Sequence, residues 1–427
     1  MEEKETNKLA YIFTEREQDG LYSFLAFFVW PFGVLVSTLS NWRKPWSKNV
    51  FWLFCVFFGL TFIIASEGEA DSDRYARLFL SYAKSNMDIS ELMNSFYAEG
   101  GSFVDVASPL ITYLVSRFTD KPAALFAVFG MIFGYFYSRN IWFLLGKVKG
   151  NLTAISILFL FTFAIINPIW NINGFRMWTA AQIFLFGTLQ YLVNGKKSGL
   201  VWSCCSVLFH FSFLFSLGIL VIYIFLQNRV TLYFSLFIAT SFIKEIDLVW
   251  MRSLLMFLPD IFHTKVANYT SVGYAESLNE MHQAINWYVP FSQVALKMVV
   301  YAGVIYVFTR VRASLKMLSG LENLFCYGML LYAASNIFSF IPSGYRFIHI
   351  SNTFIISFLF IFINVYNNYK GIGVLKKISV PMLGFYAVVV MRMGMDYYGL
   401  MTVMGNPIVA IIQKVDVPLI DVVKGLL

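Results

Sequence analysis

Two arginines stand at the beginnings of apolar segments, each directly after a stretch that interrupts a helix. Arg176 follows the Asn/Pro/Gly-rich stretch 167–174, and Arg346 follows Ile341-Pro-Ser-Gly-Tyr345. A guanidinium group stays charged when it is desolvated and binds phosphate oxygens in a bidentate way. A helix N-terminus adds backbone N–H groups that favour an anion. The two arginines therefore predict a site for more than one negative charge, as in a pyrophosphate; the alternative is that each snorkels to a membrane interface.

Histidines are the second group of candidates. His210 lies in the apolar run Leu208-Phe-His-Phe-Ser212, His349 lies one helical turn after Arg346, and His282 lies in Glu280-Met-His-Gln-Ala. A neutral imidazole beside a phosphate site can take a proton from an attacking hydroxyl. A lone histidine on an apolar face can equally be a hydrogen-bonded core residue, so the sequence leaves both readings of His210 open.

Acidic and basic residues in two other places extend this set. Asp71, Asp73 and Tyr75 belong to the segment Asp71-Ser-Asp-Arg-Tyr75, which opens a long polar stretch. They are candidates to bind substrate, and Asp71 is a candidate base; the alternative is that these are solvated loop residues. Lys297 lies too deep in an apolar segment to reach either end comfortably, which predicts a carboxylate partner or a place on a cavity wall.

The composition indicates a membrane protein. Of 427 residues, 58% are hydrophobic and only 13% are charged, which is too little charge to cover the surface of a soluble protein of this size. Apolar runs recur that are long enough to cross a bilayer, which takes about 20 residues. The net charge of +8 is then a topology signal, because Lys and Arg accumulate in cytoplasmic loops. The lipid bilayer is an expected partner, and nucleic acid is not.

The apolar segments predict an all-α fold, a polytopic transmembrane helical bundle of about 11–13 membrane segments, some of them broken or re-entrant. We expect a single integral membrane domain over residues 1–427. Residues 66–121 form a first extracytoplasmic loop with short helices, and residues 244–286 form a second. Lys376 and Lys377 are assigned to a basic inner loop before a span that begins near Val380.

One segment, from Ser198 to Leu226, is too long for a comfortable single crossing. If it were one helix, Arg229 and the loops after it would fall on the wrong side of the membrane. We therefore predict two short helices that meet near His210, since interrupted helices are tolerated at membrane depth where they line a cavity.

No pattern in the sequence predicts a metal or a cofactor. There is no HExxH motif, no P-loop and no Rossmann glycine pattern, and the histidines are scattered. Cysteines in apolar runs are typically small core residues, and that is how we interpret the four cysteines of this chain, Cys55, Cys204, Cys205 and Cys326.

Four short motifs, taken in order, resemble the EpsG family of bacterial membrane proteins, which is similar in role to the Wzy-type polysaccharide polymerases. The resemblance covers residues 66–366, and its specificity comes from the ordered set. The motifs are Asp71-Ser-Asp-Arg-Tyr75, Gly174-Phe-Arg-Met-Trp-Thr-Ala-Ala-Gln182, Phe209-His-Phe-Ser212 and Gly344-Tyr-Arg-Phe347. One departure is visible: family members often have an arginine just before the acidic motif, where this chain has Ala65-Ser-Glu-Gly-Glu69.

The resemblance implies a polymerase for O-antigen, capsule or exopolysaccharide in the bacterial inner (plasma) membrane, with a GT-C-like core. Such an enzyme transfers a growing glycan from undecaprenyl pyrophosphate to a hydroxyl of the next lipid-linked repeat unit on the periplasmic or outer face, without a metal. The implied partners are the lipid-linked oligosaccharide and a chain-length regulator protein. The family positions fall on Asp71, Arg176, His210 and Arg346.

The sequence leaves three other functions open. An O-antigen ligase or a lipid-phosphate-sugar glycosyltransferase would need the same arginines and would differ in its acceptor. A flippase or transporter of lipid-linked glycans would carry cationic residues along a path through the bundle, with inverted repeats. Here the arginines gather at predicted outer helix ends, which favours chemistry at that face.

Overall fold

The computed structural model describes residues 15–64, 70–97, 105–243, 245–256, 263, 266–267, 270–271, 273, 285–315, 318–366, 372–413 and 417–426. The regular elements of these residues are helical, apart from an isolated bridge between Gly399 and Pro418. In the first half of the chain the helices are α1 (Glu15–Phe27), α2 (Pro31–Ser40), α3 (Ser47–Leu60), α4 (Asp71–Lys84), α5 (Ile89–Tyr97), α6 (Ala107–Ser116), α7 (Pro122–Leu145), α8 (Ala154–Ile166), α9 (Phe175–Asn194) and α10 (Ser198–Phe209).

In the second half the helices are α11 (Phe213–Leu226), α12 (Val230–Thr240), α13 (Leu248–Leu255), α14 (Tyr288–Tyr306), α15 (Arg312–Leu315), α16 (Ser319–Phe338), α17 (Arg346–Val365), α18 (Ile372–Gly394), α19 (Leu400–Met404), α20 (Pro407–Ile412) and α21 (Leu419–Leu426). A 3-10 turn, Ile169–Gly174, precedes α9, and a π-helical turn, Val307–Val311, joins α14 to α15.

Four stretches of the described residues are long and apolar enough to cross a membrane, namely Ala154–Asn194, Tyr288–Leu315, Arg346–Val365 and Ile372–Gly394. Shorter apolar helices of 10–17 residues accompany them. The prediction of an all-α polytopic membrane protein is confirmed. So is the predicted break in the long segment, because α10 ends at Phe209 and α11 begins at Phe213.

The assignment of Lys376 and Lys377 to a loop was wrong. Helix α18 begins at Ile372, so both lysines lie within it, and Pro381 is inside the same helix. Lysine has a good helix propensity, and its long apolar stem lets it continue a helix at the edge of an apolar segment. Hydropathy alone therefore placed the start of this helix about two turns late.

Close contact between α9 and α10 brings together the motif that contains Arg176 and the motif that contains His210. A Cβ on Gly187 would lie 2.4 Å from the backbone oxygen of Gly199, and one on Gly199 would lie 2.3 Å from that of Gly187. Side chains at these positions would force the helices apart. The glycine pair thus holds the helix that carries Arg176 against the helix that leads to His210.

Segments that carry basic residues form contacts at the end of the bundle away from Arg176. The Arg43 guanidinium donates to the backbone oxygen of Gly150 at 2.6 Å, and Lys147 Nζ donates to Asn194 Oδ1 at 2.7 Å. Asn194 is the last residue of α9, while Arg176 is in its first turn. The basic loops and the candidate site therefore occupy opposite ends of this helix.

Candidate active site

The approach to α9 is held by buried amide groups. Asn167 Nδ2 donates to the backbone oxygen of Trp178 at 3.0 Å, and Gln182 Nε2 donates to the backbone oxygen of Asn167 at 3.1 Å. Asn140 Nδ2, from α7, donates to Gln182 Oε1 at 2.8 Å. These bonds fix the approach to α9 against the first half of that helix. Buried amide groups of this kind are generally hydrogen-bonded in native structures. The polar break that was predicted before Arg176 is thus a rigid support for it.

Arg176 lies in the first turn of α9, where the sequence predicted it. Gly174 gives this helix no capping side chain, and the backbone N–H of Arg176 donates to the Tyr75 hydroxyl at 3.5 Å. In the side chain, Nε donates to the same hydroxyl at 3.3 Å. Nη1 donates to Asp105 Oδ2 at 3.2 Å. Tyr75 belongs to α4 and Asp105 lies just before α6, so two parts of the first long polar segment hold this guanidinium.

Tyr75 is nearly buried, at 7% exposure. Burial raises the pKa of the Tyr75 phenol, although the neighbouring Arg176 guanidinium acts in the opposite direction. The phenol therefore keeps its proton at neutral pH. It accepts from Arg176 and retains an O–H to donate to a ligand.

Asp105 is a functional candidate that sequence reasoning missed. Its side chain is only 6% exposed. While Oδ2 accepts from Arg176, Oδ1 accepts from the backbone N–H of Phe211 at 2.8 Å. The available signal was an aspartate flanked by two valines, Val104 and Val106, just before a short apolar helix. Aspartates are mostly exposed, so this signal is too weak to predict a buried, paired carboxylate.

His210 occupies the break between α10 and α11 and is 7% exposed. Its Nδ1 lies 3.3 Å from the backbone nitrogen of Ser212 and 2.7 Å from Ser212 Oγ. A backbone N–H can only donate, so Nδ1 is an acceptor, and in the neutral ring the proton is on Nε2. This tautomer makes Nε2 a hydrogen-bond donor.

Charged groups from four parts of the chain surround the helix break that carries His210. Asp105 accepts from the Phe211 N–H and from Arg176, Arg346 lines the same cavity as His210, and Asp71 lies beside Gly174 at the start of α9. The predicted residues Asp71, Arg176, His210 and Arg346 thus lie in one electrostatic environment, although 275 positions separate the first from the last in the numbering. The structure brings these four together.

A large apolar cavity begins beside this cluster. Its volume is about 680 Å³, and both His210 and Arg346 contribute to its lining. The rest of the lining is mostly apolar and comes from α11, α13, α16 and the turn before α17, and includes Leu214, Phe215, Gly218, Ile222, Ile337 and Phe338. The lining of the cavity is therefore mostly apolar, with the Arg346 guanidinium and the His210 imidazole among its few polar groups.

Arg346 is the first residue of α17, as the sequence predicted. The turn before it includes Ser343 at φ +66°, and a Cβ on Gly344 would lie 2.0 Å from the backbone oxygen of Phe338. Only glycine fits there, and the turn directs the chain sharply into α17. Among the described residues, the Arg346 guanidinium has no hydrogen-bond or ion-pair partner. It is half-buried at the cavity.

The acidic motif lies at the edge of the site. Asp71 forms an ion pair with Arg74, and Asp73 forms one with Arg77 at 3.3 Å. Asp71 Oδ2 lies 3.7 Å from where a Cβ on Gly174 would be. The Asp71 carboxylate is therefore beside the N-terminus of α9, whereas Asp73 is held by its own helix.

Three further candidates are not part of this cluster. His349 lies beside the Trp178 ring, with 6.2 Å between ring centroids, and lines a separate small cavity. Its Nδ1 is buried without a partner among the described residues. Lys297 is exposed on α14, with Nζ 5.5 Å from the centre of the Tyr301 ring. His282 lies outside the described residues.

No group of three or more His, Cys, Asp or Glu side chains that could hold a metal ion occurs in the part of the chain that the structure describes. The polar groups that the structure gathers around His210 and Arg346 are guanidinium groups, carboxylates, an imidazole and a phenol. Guanidinium groups can neutralise a phosphate directly.

The family model of the EpsG family matches residues 50–401. The chain belongs to the EpsG family. The match extends beyond the stretch over which the four motifs resemble the family, and it includes all the residues of the cluster. EpsG proteins are polysaccharide-polymerase-like membrane proteins, so this chain functions in polysaccharide biosynthesis at a membrane. Comparisons with curated proteins and with solved structures found no match.

Proposed function

We propose that this EpsG-family protein is a polysaccharide polymerase of the bacterial inner (plasma) membrane. It transfers a growing glycan from undecaprenyl pyrophosphate to a hydroxyl of a lipid-linked repeat unit at the periplasmic or outer face. The observation that carries this proposal is the apolar cavity that His210 and Arg346 line, where Arg346 has no hydrogen-bond or ion-pair partner among the described residues. That shape and charge suit an amphiphile with an isoprenoid chain and a phosphate headgroup.

Arg346 and Arg176 would stabilise the pyrophosphate as it leaves. The bond between the sugar C1 and the pyrophosphate oxygen breaks, and negative charge grows on that oxygen in the transition state. Fixed guanidinium groups at this position stabilise that charge without reorganising. No metal is needed for this step when two arginines supply the positive charge.

His210 would act as a hydrogen-bond donor. Its Nδ1 accepts from Ser212, so Nε2–H is the group that can reach a phosphate or an acceptor hydroxyl. This favours an orienting role over proton abstraction. The proton of the attacking hydroxyl would then pass to the Asp71 carboxylate, which lies beside the start of α9. The acceptor oxygen forms the new glycosidic bond to C1.

A GT-C-like core, an outward-facing site and a chain-length regulator protein as a partner complete the proposal. The separation of the basic loops from the cluster, at opposite ends of α9, supports the orientation, because basic loops are cytoplasmic as a rule.

The test is a reconstituted reaction. Purified protein in liposomes is incubated with undecaprenyl-pyrophosphate-linked repeat units, and the products are separated by size. We expect a ladder from the native protein and only single units from Arg346→Ala. The matched control is Arg392→Ala, because Arg392 pairs with Asp396 at 2.9 Å and does not line the cavity.

Three results would contradict the proposal. One is a full ladder from Arg346→Ala. Another is transfer of the glycan to a different acceptor only, which would indicate a ligase. The third is movement of the lipid-linked unit across the bilayer without elongation, which would indicate a flippase.

A further inference from the structure

One carboxylate connects the parts of the cluster that come from separate elements. Asp105 Oδ2 accepts from Arg176 Nη1 at 3.2 Å, and Asp105 Oδ1 accepts from the Phe211 N–H at 2.8 Å. Phe211 follows His210 directly in the helix break. The two oxygens of Asp105 thus hold the first turn of α9 and the break between α10 and α11 at once.

This ion pair engages one of the two arginines of the proposed anion site. The Asp105 side chain is 6% exposed and that of Arg176 is 34% exposed, so the carboxylate is almost fully desolvated while the guanidinium still faces an open space. A desolvated carboxylate must be paired. As long as Asp105 holds Nη1, Arg176 can offer a phosphate only the rest of its donors.

Arg346 is in the opposite condition, since it has no partner among the described residues. Each of the two arginines follows a helix break in the sequence, but the ligand-free structure pairs only Arg176 with a described carboxylate. Arg346 can accept an anion at once, whereas Arg176 has to exchange a carboxylate for it.

We propose that Asp105 is a displaceable counter-ion and a positioning residue: its Oδ2 holds Arg176 in the empty site and yields the guanidinium to a phosphate of the lipid diphosphate, while its Oδ1 continues to hold Phe211 and so His210. The proposal rests on the proposed function for the identity of the anion. No covalent bond is made or broken in this exchange: a phosphate replaces Asp105 Oδ2 as the ion-pair partner of Arg176, and the carboxylate keeps the Phe211 N–H as its donor.

The decisive variant is Asp105→Asn, because the amide keeps an oxygen for the Phe211 N–H and removes the negative charge from Arg176. A purely structural role predicts weaker binding of an anion by this variant. Displacement predicts tighter binding, because the competitor is gone. We expect roughly fivefold tighter binding, which corresponds to about 1 kcal/mol.

The measurement is equilibrium binding of radiolabelled farnesyl pyrophosphate to the purified full-length protein in detergent. Asp396→Asn is the matched control, because it removes the same charge from the Asp396–Arg392 pair, and we expect no change in its affinity. Asp105→Glu restores a carboxylate and should return the affinity toward that of the native protein. Thermal unfolding of each variant confirms that it is folded.

A second readout separates the two roles of Asp105. In the reconstituted polymerisation, Asp105→Asn should lower both KM and kcat, because the diphosphate is held more tightly by an arginine that is no longer aligned. Unchanged or weaker farnesyl pyrophosphate binding by folded Asp105→Asn would overturn the inference, and a ladder from the native protein would leave the proposed function standing. Tighter binding without any ladder would support the exchange and contradict the polymerase.

Discussion

Filling the apolar cavity is the most direct test of what it holds. Gly218 lies on α11 in the cavity wall, and a Cβ added there would meet no heavy atom within 4 Å. In Gly218→Phe the Cβ therefore meets no protein atom, and the ring is added at the cavity wall. The replacement also removes a glycine from a helix interior, which favours folding by a few tenths of a kcal/mol. Any loss of binding in this variant comes from lost space and not from unfolding.

The size of the effect follows from the lipid that the ring displaces. A cavity of about 680 Å³ accommodates part of an isoprenoid chain, and the benzyl group competes for that volume. If it excludes about three chain carbons at about 0.8 kcal/mol for each buried CH₂, the loss is roughly 2.4 kcal/mol, or about 60-fold in Kd.

The assay compares two lipids that have the same headgroup. Farnesyl phosphate and undecaprenyl phosphate are titrated into the purified protein, and the gain in affinity from the longer chain is measured for each variant. Gly218→Phe should lose most of that gain. The control is Gly384→Phe on α18, where an added Cβ also meets nothing within 4 Å but the position does not line the cavity. If Gly218→Phe and Gly384→Phe keep the same gain as the native protein, the chain lies elsewhere and our reasoning about the cavity is wrong.

Two further predictions concern the charged end of the cavity. His210→Gln keeps a side-chain N–H donor, so it should retain about a tenth of the native polymerisation rate, whereas His210→Ala should lose about 100-fold; equal inactivity of both variants would indicate that His210 is a base after all. Arg176→Ala leaves the buried Asp105 carboxylate without its ion-pair partner and should lower the free energy of unfolding by about 2 kcal/mol. Arg346→Ala leaves no described partner behind and should change it by less than about 0.5 kcal/mol. Denaturant titration in detergent measures both, and equal destabilisation would contradict the described pairing.

The sequence was sufficient for most of the fold because apolar length and helix breaks are local properties. The break at His210 followed from the excessive length of one segment and the charge of the loops around it. The start of α18 was misplaced for the same local reason. Lysines at the end of a helix look like loop residues when only hydropathy is considered.

Residues of the cluster around His210 stood out in the sequence mainly where a costly group occurred in an apolar context. Arg176, Arg346 and His210 carried that signal. Asp105 lies in a polar segment, where an aspartate carries no desolvation cost that would mark it as unusual. Its place in the cluster depends on a hydrogen bond from Phe211, 106 positions away in the chain. No local pattern reports such a contact. Lys297 gave the strongest local signal of the lysines, yet its ammonium group lies near an aromatic ring on an exposed helix face.

The different partners of the two arginines suggest an order of events at the site. A lipid diphosphate whose chain enters the cavity meets Arg346 first, because that guanidinium lines the cavity and has no described partner to give up. Arg176 does not line the cavity and is held by Tyr75 and Asp105, so it can respond only after the headgroup has arrived. Arg346 would then govern the capture of the lipid, and Arg176 would govern the step that follows. On this reasoning, Arg346→Ala raises KM more than it lowers kcat, whereas Asp105→Asn lowers both.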